Sequence, residues 1–83
     1  MRIIGNIPHP SIRITLFMMN EKYIIKFEAG PMEQIFKLAL EEVNGIEGIE
    51  KILDQEFMKR IMDRFNEMFL SYKEAIERYQ ILK

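Results

Sequence analysis

The C-terminal third of this 83-residue chain, residues 55–81, contains neither glycine nor proline. Methionine, glutamate, lysine, arginine, phenylalanine and isoleucine dominate the segment, and most of these residues favour a helix. Asp54, immediately before it, is a good N-cap, because its carboxylate can accept the free amide hydrogens of the first turn. The segment therefore predicts one long helix, and this helix limits what the rest of the chain can form.

Apolar residues recur along the predicted helix every three or four positions, which places them on one stripe. A helix of this length is about 40 Å long, whereas a globule of this size is about 30 Å across. The helix is therefore expected to extend beyond its own domain. The stripe consists of Met58, Ile61, Phe65, Met68, Tyr72, Ala75, Tyr79 and Leu82, and it is widened by Met62, Phe69 and Ile76.

The end of the helix that extends beyond the domain needs a partner for its apolar stripe, and a second copy of the chain is the commonest source. Leu70 lies on the opposite, polar face, where it is either an anchor for a partner or an ordinary exposed leucine. The alternative is a helix that bends or ends near Ser71 and packs wholly within the monomer. The predicted interface comprises Met68, Phe69, Leu70, Tyr72, Ala75, Ile76 and Tyr79.

Residues 11–29 alternate between apolar and polar types, with a break at Asn20 and Glu21. Alternation with period two, rich in β-branched residues, is typical of strands, so this segment predicts a β-hairpin. Residues 1–10 contain two prolines and are predicted to be a stiff connector. The side chains of the hairpin expected to face the core are Ile12, Ile14, Leu16, Met18, Tyr23, Ile25 and Phe27.

The pattern of residues 32–43 fits both a helix and a strand. Pro31 is a natural first-turn residue of a helix. At helical spacing the apolar residues that fall on one stripe after it are Met32, Ile35, Phe36, Ala39, Leu40 and Val43. A strand over residues 32–40 would instead complete a meander, and a hairpin without a third strand is marginal in water. Of the helix and the strand, the strand is favoured, because the hairpin needs a third strand. Its face would carry Gln34, Phe36, Leu38 and Leu40.

A short helix is predicted over residues 44–53, where isoleucines recur at helical spacing. The fold class is therefore α+β in one domain that spans residues 1–83. An antiparallel sheet of two or three strands occupies residues 11–40. The short helix follows it, and the long helix over residues 55–81 packs across one face of the sheet.

The composition excludes several classes of site. Without cysteine the chain has no disulfide and no thiolate nucleophile, and its one histidine cannot form a multi-histidine metal site. That histidine, His9, lies between two prolines and is expected to be an exposed loop residue. The net charge of -1 provides no field that would gather nucleic acid or an anionic membrane. No catalytic, cofactor-binding or metal-binding residue is predicted.

Three functions remain as hypotheses. The first is a non-enzymatic interaction module with a regulatory or scaffolding role, a homodimer joined through the long helix. The second is a small-ligand binder or minor enzyme with a cleft between sheet and helix, using Tyr23, Tyr72 or Tyr79 as polar groups. The third is weak nucleic-acid binding through the outward face of the hairpin, which carries Arg13, Lys22 and Lys26 with Thr15, Phe17 and Ile24.

The location expected from the sequence is the cytoplasm. The first six residues, Met1 to Asn6, hold only two apolar residues between the first charge and a glycine, unlike the apolar core of a secretory signal. No apolar run approaches the ~20 residues that a membrane-spanning helix needs.

Overall fold

The computed structural model of the chain describes residues 1–82 and shows an α+β fold in two layers. One layer is an antiparallel sheet in which each strand pairs with its neighbour in sequence, in the order β1-β2-β3-β4. The other layer is formed by the helices. The elements are β1 (Arg2–Ile7), β2 (Arg13–Met19), β3 (Lys22–Ala29), β4 (Met32–Ala39), a 3-10 turn (Leu40–Glu42), α1 (Gly45–Ile52) and α2 (Gln55–Leu82).

The sheet has four strands, so the prediction of two or three strands is wrong. The additional strand, β1, lies within residues 1–10, which the sequence predicts to be a connector. It pairs with β2 from Arg2, opposite Met18, to Ile7, opposite Ile14. The register shifts between residues 3 and 5, and this bulge breaks the period-two pattern by which a strand is recognised.

Residues 32–39 form the strand β4, and the helical alternative for this segment is wrong. The side chains of Met32, Phe36 and Leu38 pack against the core, whereas Ile35 points to the other face and is 50% exposed. The alternation along β4 is therefore set by the sheet, although its apolar residues also fit a helical stripe.

The core lies between the sheet and the two helices. A β-carbon on Gly5 would lie 3.8 Å from the Ile46 Cδ1 atom, so α1 covers the sheet at β1. At the other side, the Gln34 side-chain amide donates a hydrogen bond to the Ile61 carbonyl oxygen at 2.9 Å, so α2 lies over β4. The buried core cluster comprises Ile12, Ile14, Leu16, Ile25, Phe27, Ile49, Ile61 and Phe65.

Three phenylalanines fix the first turns of α2 on the sheet. The Phe57 ring on α2 lies 5.4 Å from the Phe36 ring on β4 and 6.1 Å from the Phe27 ring on β3. All three pairs meet edge to face, the arrangement that aromatic quadrupoles favour. The helix begins where Asp54 accepts a hydrogen bond from the Phe57 amide at 2.8 Å, the bond expected of an N-cap.

Beyond the sheet, α2 continues unbroken past Ser71 to Leu82. The described molecule measures 50 × 27 × 19 Å, and its long dimension is longer than the globule expected for this number of residues. The helix therefore extends beyond the domain. The alternative in which it bends or ends near Ser71 is wrong.

Candidate interaction surfaces

The most exposed apolar surface of the described molecule is the C-terminal half of α2, residues 69–82, which we call the helix tail. Each of its residues is exposed, and none belongs to the core cluster. Seven of the twelve large hydrophobic side chains that are exposed in residues 1–82 lie on it. They are Phe69, Leu70, Tyr72, Ile76, Tyr79, Ile81 and Leu82.

Two of the predicted interface residues differ from the others in their placement. Met68 is half-buried and packs partly against the core, so it lies where α2 leaves the sheet. Leu70 is 56% exposed but lies two positions from Tyr72, about 200° around the helix and so away from the stripe. The remaining five, Phe69, Tyr72, Ala75, Ile76 and Tyr79, share one side of the helix tail.

The charges of the helix tail balance. Lys73 and Arg78 are its basic residues and Glu74 and Glu77 its acidic ones, so residues 69–82 have a net charge of zero. All four charged residues lie off the centre of the apolar side. The tail is therefore an amphipathic helix without a field that would select a basic or an acidic partner.

A second exposed surface is the sheet face turned away from the helices, the open sheet face. No helix in residues 1–82 covers it, yet Thr15 and Ile24 at its centre are only 6% and 5% exposed. Neighbouring side chains of the same face shield them. Phe17 is one of these, and the Lys26 ammonium group lies 5.5 Å from the centre of its ring. Ile3 and Ile35 remain exposed at the margins of the face.

The open sheet face contains the residues of the nucleic-acid hypothesis, and their arrangement weakens it. The Lys26 ammonium group lies 3.7 Å from a Glu28 carboxylate oxygen and 3.9 Å from one of Glu33. Its charge is therefore largely balanced within the chain. The Phe17 ring that would stack on a base is occupied by the same lysine. Thr15 and Ile24 are buried and cannot contact a ligand of this kind.

The small-ligand hypothesis places Tyr23, Tyr72 or Tyr79 as a polar group in a cleft between sheet and helix. Tyr23 packs against the core, whereas Tyr72 and Tyr79 are exposed on the helix tail. Among residues 1–82, no tyrosine lines the groove of about 280 Å³ between sheet and helix. It is lined by Gln34, Arg64, Glu67, Met68 and Ser71.

A larger open depression, about 510 Å³, lies beside the β1–β2 connection. His9 lines it, and the Nδ1 atom of this residue accepts a hydrogen bond from the Ser11 amide at 3.1 Å. The histidine thus holds the local turn, and within residues 1–82 no acidic side chain lines the depression to orient it as a base. Sequence reasoning misses this depression because it depends on β1.

The sequence does not single out Gln34 and Arg64, which join α2 to β4. The Gln34 side-chain amide donates to the Ile61 backbone carbonyl oxygen, and the Arg64 guanidinium donates to the Gln34 side-chain oxygen Oε1 at 3.5 Å. Gln34 is the polar exception at a core-facing position of an otherwise apolar pattern, and this exception is the sequence signal by which it could have been found.

Within residues 1–82, no group of three or more acidic, histidine or cysteine side chains is placed to hold a metal ion. None of the helices described there has the length and apolarity needed to span a membrane. The chain matches no family model, no curated protein and no solved structure.

Proposed function

We propose that the chain is a non-enzymatic interaction module that forms a homodimer through the helix tail. The observation that supports the proposal is the continuity of one stripe along α2. Ile61 and Phe65 are 0% and 4% exposed beneath the sheet, whereas Tyr72 and Ile76 on the same stripe are 51% and 40% exposed. Covering this surface would contribute roughly 25 cal/mol for each Å² of apolar area.

A second copy of the chain fits the helix tail better than a charged partner does. Because the tail has no net charge, two copies can approach without repulsion. Ala75 is the one small residue of the stripe, and it can accept a large side chain from a facing helix. In an antiparallel pair, Tyr72 of one copy then lies opposite the partner's Ala75, and Met68 lies opposite the partner's Tyr79.

The residues on either side of the stripe are also compatible with this antiparallel pair. On one side, Phe69 lies close to the partner's Ile76, an apolar pair. On the other, Ser71 lies close to the partner's Arg78, so no like charges meet. The proposed dimer therefore buries the five predicted interface residues that lie on the stripe side of the tail. A regulatory or scaffolding role in the cytoplasm is part of the same proposal.

Two isoleucines of the tail provide a matched experiment. Ile76 lies on the stripe, whereas Ile81 lies about 200° around the helix from Tyr79, on the other side. Replacing either with Glu introduces the same charge into an exposed part of the same helix. Sedimentation equilibrium should give the wild-type chain a mass near twice 10.0 kDa at micromolar concentration.

Ile76→Glu should raise the dissociation constant of the dimer at least tenfold, equivalent to about 1.4 kcal/mol. Ile81→Glu should leave the constant within about twofold of the wild-type value, since surface changes of this kind cost little. Thermal unfolding of both variants at low concentration controls for the monomer fold. A wild-type chain that stays monomeric at millimolar concentration would contradict the proposal.

A further inference from the structure

The two edges of the sheet differ in how well they are protected from pairing. The edge strand β1 is short and carries a bulge between Ile3 and Gly5, a common device that blocks edge-to-edge pairing. The other edge strand, β4, pairs with β3 in an unbroken register over all eight of its residues and contains neither proline nor a bulge. Of the two edges, β4 is the one that is fit to accept another strand.

The backbone groups that β4 presents at its free edge can be identified. The Leu40 amide, just after the strand, donates to the Glu21 carbonyl oxygen beside β3. Backbone groups alternate in direction along a strand, so the even-numbered residues of β4 direct theirs toward β3. Glu33, Ile35 and Lys37 therefore direct their N–H and C=O groups away from the sheet.

We infer that β4 pairs in antiparallel orientation with β4 of a second copy, about a two-fold axis that passes midway between the two copies of Ile35. In this register Ile35 lies opposite the partner's Ile35. Glu33 lies opposite the partner's Lys37, and Lys37 opposite the partner's Glu33. Both pairs of directly facing charges are therefore of opposite sign, which stabilises a cross-strand pair.

The hydrogen-bond geometry agrees with the side-chain pairing. The residues whose backbone groups point outward, Glu33, Ile35 and Lys37, are the ones that face each other across the axis, so each facing pair can exchange two N–H···O bonds. The exposure of the side chains is also consistent with the strand pair, because all three residues are exposed and α2 lies on the opposite face of β4. The product would be a continuous sheet of eight strands.

This contact uses residues distinct from the helix tail and does not depend on the function proposed above. Glu33 already lies 3.9 Å from Lys26 of its own chain, at the limit of an ion pair. A lysine of the partner on its other side adds a second cation without displacing the first. Because each contact has its own two-fold axis, a chain that uses both forms assemblies larger than a dimer. A mass near twice 10.0 kDa at micromolar concentration therefore requires the strand contact to form at higher concentration than the tail contact. Variants of each surface test the two contacts separately.

Cysteine cross-linking tests the strand pair directly, since the chain contains no cysteine of its own. The Cα atoms of a hydrogen-bonded antiparallel pair are about 5.5 Å apart, which is within the range of a disulfide. Mild oxidation of Ile35→Cys protein should therefore give a covalent dimer on a non-reducing gel. Glu33→Cys protein and Lys37→Cys protein should each run as a monomer on the same gel, because two copies of either position are roughly 14 Å apart in the paired strands. Mixing those two variants should restore the covalent dimer.

Equal cross-linking by all three single variants, or none at Ile35→Cys, would overturn the inference. The reaction is repeated with Ile76→Glu present, which disables the helix tail. Persistence of the Ile35→Cys dimer supports a strand contact that stands on its own, and its loss overturns that claim. Failure of the helix-tail proposal is recognised separately, because Ile76→Glu would then leave the sedimentation mass unchanged.

A charge exchange provides a second measurement that needs no thiol. Glu33→Lys alone and Lys37→Glu alone place like charges opposite each other and should each weaken association at least fivefold in the Ile76→Glu background. The double variant restores opposite charges in both pairs and should return the dissociation constant to within about twofold of its starting value. A double variant as weak as the single ones would contradict the pairing.

Discussion

The two halves of α2 carry the same apolar stripe but lie in different surroundings. In the first half, Ile61 and Phe65 are buried under the four-stranded sheet, and Phe57 meets two other aromatic rings. In the second half, the stripe continues through Tyr72 and Ile76 with nothing in residues 1–82 above it. A repeat of apolar residues thus predicts which face of a helix can bury apolar surface. Only the tertiary structure shows which part of that face the domain already covers.

The comparison separates two quantities that are often confused in small proteins. Side chains under the sheet determine the free energy of unfolding of the monomer. Side chains of the helix tail contribute little to that quantity, and on our proposal they determine the free energy of dimerisation. Variants matched in chemistry but placed in different halves of α2 should therefore differ in which of the two they change.

The largest contrast is expected between two phenylalanines one turn apart. Phe65 is 4% exposed and Phe69 is 51% exposed. Phe65→Ala should lower the free energy of unfolding by about 3 to 5 kcal/mol, because it removes buried surface and leaves a cavity. Phe69→Ala should lower it by about 0.5 kcal/mol or less. Urea unfolding at submicromolar concentration, where a dimer does not contribute, measures both.

If the two alanine variants unfold at the same urea concentration, the halves of α2 do not differ as described. The slope of unfolding with urea should match the wild-type slope in both variants. A changed slope in the Phe65→Ala protein would indicate a denatured or native state of altered compactness, and its free energy would then not be comparable.

Met68 lies at the boundary between the two halves and should give an intermediate effect. Its side chain is half-buried and packs partly against the core cluster. Met68→Ala should therefore lower the free energy of unfolding by about 1 to 2 kcal/mol, less than a fully buried methionine. It should also weaken the dimer, since in the proposed pair Met68 lies opposite the partner's Tyr79. A variant with wild-type stability would place the boundary nearer the N-terminus of α2.

The smallest effect is expected at Leu70, which is exposed but lies off the stripe. Leu70→Glu should leave circular dichroism and the free energy of unfolding unchanged. In the proposed dimer Leu70 lies away from the partner, so the dissociation constant should also be unchanged, whereas a role as an anchor for the partner would weaken association by about 1 kcal/mol. Dissociation constants of Leu70→Glu and Ile76→Glu, measured side by side, decide this. An unaltered constant for Leu70→Glu makes it an ordinary surface leucine.

Local sequence signals predicted the elements whose side chains repeat regularly. The N-cap at Asp54, the period of α2 and the β2–β3 hairpin all depend on neighbours within a few residues, and the structure contains each of them. The segment that contains β1 could not be recognised in this way. Its bulge and Gly5 interrupt the alternation, and the adjacent prolines indicate a loop.

The surfaces depend on long-range order, so the sequence predicted them only in part. The exposure of Tyr72, Ile76 and Tyr79 follows from helix length compared with domain size. The point where α2 leaves the core, at Met68, depends on the layer beneath it. The free edge at Ile35 depends on strand order, which no local pattern contains. Recognition of β4 as a strand was necessary but did not reveal that edge.

Amide hydrogen exchange measured as a function of protein concentration tests the central claim most directly. Every residue of the helix tail is exposed and lies outside the core cluster of residues 1–82, so in the monomer its amides should exchange quickly through local opening. Between submicromolar concentration, where the chain is monomeric, and millimolar concentration, protection of residues 69–82 should rise, because dimerisation covers the stripe. Protection of residues 55–68 through local opening should not change over the same range. Equal exchange of the tail at both concentrations would contradict the account.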